Sequence, residues 1–360
     1  MGIRDDPSPG HRCQPWRSRP SDHPHPVSID RQDHPCALGT DRGSDRSAGE
    51  SGTGVESMSG DSVRIVEVGP RDGLQSRETQ LATHLRIEWI RQLTAAGLRE
   101  IEAGSFVRED LVPTMANSEA VFHEARTLDI ELLWALIPNL RGFERARACG
   151  AKAFAHFSST SETFSQKNAG CSIAGSMVSF REIRQVAGKS PLRAYLSCCF
   201  GCPYEENVAV ATVTDLAQQL HAAGADEIVI SDTTGIATPA AVTALITALG
   251  SVVPIEQLSL HLHDTHGQAL ECARAGLEAG VRSFDGSAGG LGGCPFAPGA
   301  PGNVATEDLV TLFEAQGCNC GIDLEQLIDS SLWLEGVIGE KLPARSLIDR
   351  RGDPPASNGS

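Results

Sequence analysis

The sequence predicts an α/β protein, a (β/α)8 TIM barrel with a C-terminal helical extension. Short β-rich runs alternate with helical stretches from residue 62 onward, eight strands in all, the signature of a closed parallel sheet. Polar and titratable residues gather just after several of these strands, where a parallel barrel places its site. The first strand runs into Gly69-Pro70-Arg71-Asp72-Gly73. That run does not match the G-x-G-x-x-G loop of a doubly wound open sheet, which is the alternative fold.

The expected strands are Arg64–Val68, Glu100–Ala103, Glu131–Ile137, Ala153–Phe157, Leu192–Ser197, Glu227–Ser231, Leu258–His263 and Ser283–Asp285. Helical patterns lie between them, such as Thr83–Ala96 before Gly97 and Val208–Ala223 before Gly224. A glycine just past a helix supplies the left-handed residue that stops it. Residues 1–57 are rich in Pro, Arg, Asp, Ser, His and Gly and show no apolar periodicity. Such a segment cannot bury enough surface to offset its ordering entropy, so a disordered tail is expected there. Met58 stands just before the first strand and is a candidate natural start. The barrel domain is expected over 58–345, and 346–360 reads as a second disordered tail.

The formal net charge is -16, and residues 1–57 contribute 7 Arg against 9 Asp or Glu, so the acidity belongs to the barrel. Such a chain is poorly suited to nucleic acid or to an anionic membrane surface. No run approaches the ~18 apolar residues of a membrane span. The tail has neither the apolar stretch of a secretory signal nor the low acidity of a mitochondrial transit peptide. The 11 cysteines include a C-x-x-C at Cys199 and Cys202, but Cys318-Asn-Cys320 has the wrong spacing to complete a four-cysteine zinc site. Reduced thiols in a cytoplasm are expected.

Candidate site residues follow from the strand ends. His261 and His263 are two apart on a strand and so point to one side. With the carboxylate of Asp72 after strand one and the amide of Asn303 beyond strand eight, they form a mixed N/O set. That set suits a divalent cation with open positions, Mg2+ or Mn2+, although two His and a carboxylate also suit zinc. Arg71, adjacent to Asp72, offers a rigid, permanently charged fork for an oxyanion; a simple Arg–Asp turn pair is the bland alternative. Glu102 and Asp232 end strands two and six as candidate acid–base or orienting groups. Tyr195 on strand five can donate into the site or merely fill the barrel. Cys294 lies in a loop with Gly289, Gly290, Gly292 and Gly293 before it, a loop able to act as a lid.

The runs VEVGPRDGLQ, IEAGSFV, FGCPYE, SDTTG, HLHDTHGQAL, GGLGGCPFAPG and GNVATEDLV resemble the 3-hydroxy-3-methylglutaryl-CoA lyases, barrel metalloenzymes with a D-R-E-type site. The resemblance covers roughly 62–340 in unbroken order, and GPRDGLQ with GLGGCP is its most specific part. It implies that Asp72, His261, His263 and Asn303 hold the divalent metal and that Arg71 faces the substrate carbonyl. It implies that Glu102 and Asp232 support the site, that Cys294 is the reactive cysteine, and that Tyr195 contributes to substrate binding. The reaction implied is retro-Claisen cleavage of an acyl-CoA to acetyl-CoA and acetoacetate. His261 or a metal-associated carboxylate would be the base, and Cys294 or Asp232 the proton donor. The chain departs from the best-known members at His266 (Tyr there), Thr234 (Ile) and Gly289 (Ala), and related bacterial enzymes take longer or branched acyl chains. A homodimer or higher homo-oligomer is expected. Two other readings are a Claisen-condensing acyltransferase of the 2-isopropylmalate or homocitrate synthase type, and a non-catalytic metal-binding scaffold.

Overall fold

A computed structural model describes residues 62–77, 80–205, 207–293 and 302–353. Among them, eight strands close into a parallel barrel: β1 (Arg64–Glu67), β2 (Glu100–Ser105), β3 (Leu132–Leu136), β4 (Ala153–Ser159), β5 (Leu192–Ser197), β6 (Glu227–Asp232), β7 (Leu258–Leu262) and β8 (Ser283–Gly286). They pair in chain order, and β8 closes on β1 with Arg64 opposite Ser283 and Val66 opposite Asp285. The barrel expected from the sequence is therefore the fold observed, with strand ends shifted by two residues at most.

The helices around it are α1 (Thr83–Ala95), α2 (Ser118–Ala125), α3 (Leu140–Ala148), α4 (Glu162–Ala169), α5 (Ile173–Ala187), α6 (Val210–Ala222), α7 (Pro239–Leu249), α8 (Ala269–Glu278) and α9 (Thr306–Ala315). Several start on a side-chain cap. Asn139, Ser161 and Ser172 accept from the backbone N–H of Gly142, Phe164 and Gly175, each at 3.0 Å. Such a cap satisfies donors that the first helical turn leaves open.

Alternation along the strands sorts residues into two layers. Ile101, Phe154, Leu196, Ile230, Leu260 and Phe284 belong to the main core beneath the helices. The alternate positions fill the barrel in small separate groups, Val66, Val68, Trp134 and Ala153 in one and Leu136, Ala155, Tyr195 and Val229 in another. Charge lies at the N-terminal end of the interior, where Arg64 pairs with Glu100 at 2.9 Å and Glu227 at 2.6 Å. The β2–β3 register shifts between Glu102 and Gly104. A Cβ on Gly104 would meet Ser118 Oγ at 2.7 Å, so this bulge needs glycine.

The helical extension comprises α10 (Leu324–Ile338) and α11 (Arg345–Arg351). The second of these corrects the expectation of a disordered tail from 346. Leu347 is fully buried, and Asp308 accepts from the backbone N–H of Arg345 at 3.0 Å and Ser346 at 3.1 Å. One apolar side chain and one carboxylate on the neighbouring α9 anchor a segment whose composition looks like tail. Residues 354–360 and the expected tail 1–57 lie outside the described residues.

Candidate metal centre

β1 ends in a wide helical turn, Gly69–Gly73, in which Asp72 N–H donates to Val68 O at 2.6 Å. This turn lifts Arg71 and Asp72 over the C-terminal mouth of the barrel. Gly73 packs against the next loop so closely that a Cβ would lie 2.8 Å from Leu291 O. Two strands round the barrel, beyond β8, His261 is on β7 and His263 just past its end, in a bridge with Asn303. The ligand atoms of Asp72, His261 and His263 lie within 4.8 Å of one another. Asn303 Nδ2 donates to Asp72 Oδ2 at 2.9 Å, which ties the fourth candidate to the first.

The details fit a cation. The two histidine Nε2 atoms face each other at 3.2 Å. Asn303 Oδ1 is buried with no hydrogen-bond partner among the described residues. Asp72 is held ionised: burial would raise its pKa, but Arg71, His261 and His263 together carry it well below the usual carboxylate range. Burial and the neighbouring His261 push His263 down to about 4, which favours the neutral imidazole a cation requires. His261 moves the other way, raised on balance by its bond to Asp285 and by Asp72 despite burial. Two imidazoles, a carboxylate and an amide oxygen converging on one point suit a divalent ion.

Arg71 is buried between Glu102 and Asp72 and pairs with both. Burial would lower its pKa, but the two carboxylates outweigh that and fix its charge. Glu102, fully buried, also accepts from the Tyr195 hydroxyl at 2.8 Å, and two guanidinium groups approach the Tyr195 ring, Arg71 at 5.5 Å and Arg193 at 5.1 Å. The Tyr195 hydroxyl also lies 2.9 Å from Asp285, so its single proton is directed inward while its ring lines the cavity. Asp232 sits lower. Its carboxylate accepts from the backbone N–H of Ile236 at 3.1 Å and Ala237 at 2.9 Å, and it is absent from the cavity wall among the described residues. Cys294 lies outside the described residues.

Above these groups opens a cavity of about 1140 Å³. Arg71, Asp72, His261 and His263 form its base; Leu136, Phe157, Phe164, Val107 and Leu111 make an apolar wall; Arg108 and Lys167 stand at its edge. Gln75, Ser197, Ser231 and Thr233 also line it, and sequence reasoning passed over them. Ser197 and Ser231 were within reach, since they occupy inward positions at the ends of their strands. Asp285 was missed as well. Its signal was an acidic residue in the middle of a barrel strand, two positions from the serine that opens it.

A closed parallel barrel with a His–His–carboxylate–amide set at the strand ends defines the chain as a barrel metalloenzyme. The HMGL-like family model matches residues 62–332, and the chain belongs to that family. It is 42% identical over 274 residues to the mitochondrial hydroxymethylglutaryl-CoA lyase of Gallus gallus, covering 76% of this chain and 92% of the relative. It is 42% identical over 286 residues to the 3-hydroxy-3-isohexenylglutaryl-CoA/hydroxy-methylglutaryl-CoA lyase of Pseudomonas aeruginosa, covering 79% and 95%. The solved structure of an HMG-CoA lyase from an Acinetobacter species, in complex with coenzyme A and 3-methylmalate, superposes with a TM-score of 0.77 at 38% identity, over 84% of this chain and 98% of that one.

Proposed function

We propose that this chain is a divalent-metal-dependent carbon–carbon lyase that cleaves 3-hydroxy-3-methylglutaryl-CoA to acetyl-CoA and acetoacetate. The observation that carries the reading is the convergence of Asp72, His261, His263 and Asn303 Oδ1, which has no partner among the described residues, beside a buried arginine. The names of the relatives support the substrate. Asp72, His261, His263 and Asn303 would hold Mg2+ or Mn2+. When bound, that ion acidifies a substrate hydroxyl and fixes its geometry as a Lewis acid.

The residues of the chain do the rest. Arg71, clamped by Glu102 and Asp72, presents a fixed cation where negative charge develops on the thioester oxygen as the C–C bond breaks. A preorganised donor of this kind costs no reorganisation during the reaction. Glu102 and Tyr195 hold the guanidinium in place, and the Tyr195 ring closes one side of the cavity. With Nδ1 bonded to Asp285 and Nε2 turned to the metal set, His261 has no nitrogen left for the hydroxyl proton, so the Asp72 carboxylate is the candidate to receive it. Cys294 is a candidate to return one to the acetyl carbon. Asp232 supports the loop after β6. The apolar wall of Leu136, Phe157 and Phe164, together with the dual-substrate name of the Pseudomonas relative, supports a second reading in which the group on C3 is larger than methyl. The cytoplasm is the proposed location, as the name of one mouse relative has it; no helix among the described residues is long and apolar enough to cross a membrane.

The test is release of acetoacetate from 3-hydroxy-3-methylglutaryl-CoA and from a longer-chain analogue, with and without chelator. Chelator-sensitive release supports the reading. Condensation of acetyl-CoA with an oxo acid, or no reaction with added Mg2+ or Mn2+, overturns it.

A further inference from the structure

The interior of a parallel barrel is usually filled by branched apolar side chains. Here Arg193 of β5 and Asp285 of β8 lie inside it with fully buried side chains, 2.7 Å apart. Neither lines the cavity. An ion pair buried so deeply is seldom more stable than apolar residues of the same volume, so stability alone does not account for it. Its neighbour does. Asp285 stands directly opposite His261 in the β7–β8 ladder, and its Oδ2 lies 3.1 Å from His261 Nδ1. The two carboxylate oxygens have separate duties: Oδ1 accepts from Arg193 Nη2, while Oδ2 meets His261 and, at 2.9 Å, the Tyr195 hydroxyl.

We propose that Asp285 and Arg193 are positioning residues for the metal centre: the Asp285 carboxylate, oriented by Arg193, fixes His261 as the Nδ1–H tautomer and leaves its Nε2 lone pair for the ion. The inference rests on the metal reading above. Once Nδ1 carries the proton, Nε2 can only be an acceptor, and Nε2 is the atom that faces His263 and Asp72. His263 Nδ1 has no such partner among the described residues, so the orientation of the pair depends on His261. Carboxylates that hold a metal-binding imidazole in this way typically contribute ~10–100-fold to metal affinity.

The substitution Asp285→Asn separates this role from mere packing. An amide has one oxygen. Arg193 donates and cannot accept, so it takes that oxygen. The NH2 group then faces His261 Nδ1 and drives the ring proton to Nε2, where it blocks the ion. Apoprotein would be titrated with Mn2+ and followed by electron paramagnetic resonance of the free ion. The tautomer of 15N-histidine-labelled protein would be read by NMR. We expect Asp285→Asn to unfold near the wild-type temperature, to bind Mn2+ ~10–100-fold more weakly and to show an additional Nε2–H histidine. The double variant Asp285→Asn/Arg193→Leu frees the amide to turn its oxygen toward His261, and recovers most of the lost affinity. An Asp285→Asn variant that binds Mn2+ within about twofold of wild type, or keeps the Nδ1–H tautomer, overturns the role of Asp285. A double variant that folds but recovers nothing overturns the role of Arg193. If wild type and Asp72→Ala bind Mn2+ equally, the metal reading itself fails, which the ratio between wild type and Asp285→Asn does not test.

Discussion

Glu67, the last residue of β1, gives the most direct link between a buried group and a measurable quantity. Its carboxyl is fully buried. Oε1 accepts from the backbone N–H of Gly69 at 2.8 Å and Ala288 at 2.9 Å, and Oε2 meets Thr306 Oγ1 at 2.6 Å. It thereby ties the turn that carries Arg71 and Asp72 to the start of the glycine loop and to α9. Burial outweighs these bonds and pushes its pKa from 4.5 up to about 8. The folded chain therefore holds a proton that the unfolded chain has released between these two values. Stability from this group is full below the unfolded pKa, falls as pH rises through the window, and is lost above the folded pKa. The slope is about 1.4 kcal/mol per pH unit, so between about pH 6 and about pH 9 the loss is roughly 3 kcal/mol. Glu67→Gln keeps the shape, the acceptor for Gly69 and Ala288 and a donor for Thr306, but cannot ionise. Urea denaturation of both proteins at the two pH values measures the difference. Glu307, pushed up to about 7 by burial, titrates in both, and its charge adds to the rise at Glu67. We expect wild type to lose roughly 3 kcal/mol more than Glu67→Gln over this interval. Parallel pH dependences would refute the argument.

Other predictions concern the site. Arg71→Lys keeps the charge but loses the planar fork that meets Glu102 and Asp72 together; kcat should fall by ~10²–10³ while Mn2+ affinity stays within a fewfold, and a rate close to wild type would reduce Arg71 to a turn residue. Asp72→Ala removes the only charged ligand of the proposed set and should abolish both Mn2+ binding and turnover, as judged by titration and by acetoacetate release; full activity in chelated buffer would refute the assignment. Cys294→Ser should lower kcat far more than it raises KM, because the thiol is proposed to act after binding. If alkylation mapped to Cys294 by mass spectrometry left activity intact, that role would be withdrawn.

Local features carried much of the architecture. The strands are short, most of them rich in aliphatic or aromatic residues, so their positions follow from neighbours within a few residues. The spacing of His261 and His263 likewise fixes their common direction, because strand periodicity is local. The Arg71–Asp72 pair and Asn303 were legible because they follow predicted strand ends. The C-terminal helix α11 was not, because its order comes from Asp308, 37 residues earlier than Arg345, and from burial of Leu347.

The alternation of strand and helix, the barrel, the candidate ligand types and their shared end of the sheet are all legible in local sequence. Which charges answer one another across the barrel is set by tertiary packing. Asp285 meets His261 and Arg193 from strands 24 and 92 residues away, Glu102 meets Tyr195 across 93, and Asp232 turns to its own loop instead of the cavity. Periodicity says which side of a strand a residue faces. Only the closing of the barrel sets the distances between carboxylates, guanidinium groups and imidazoles, and in a medium without water those distances fix their protonation.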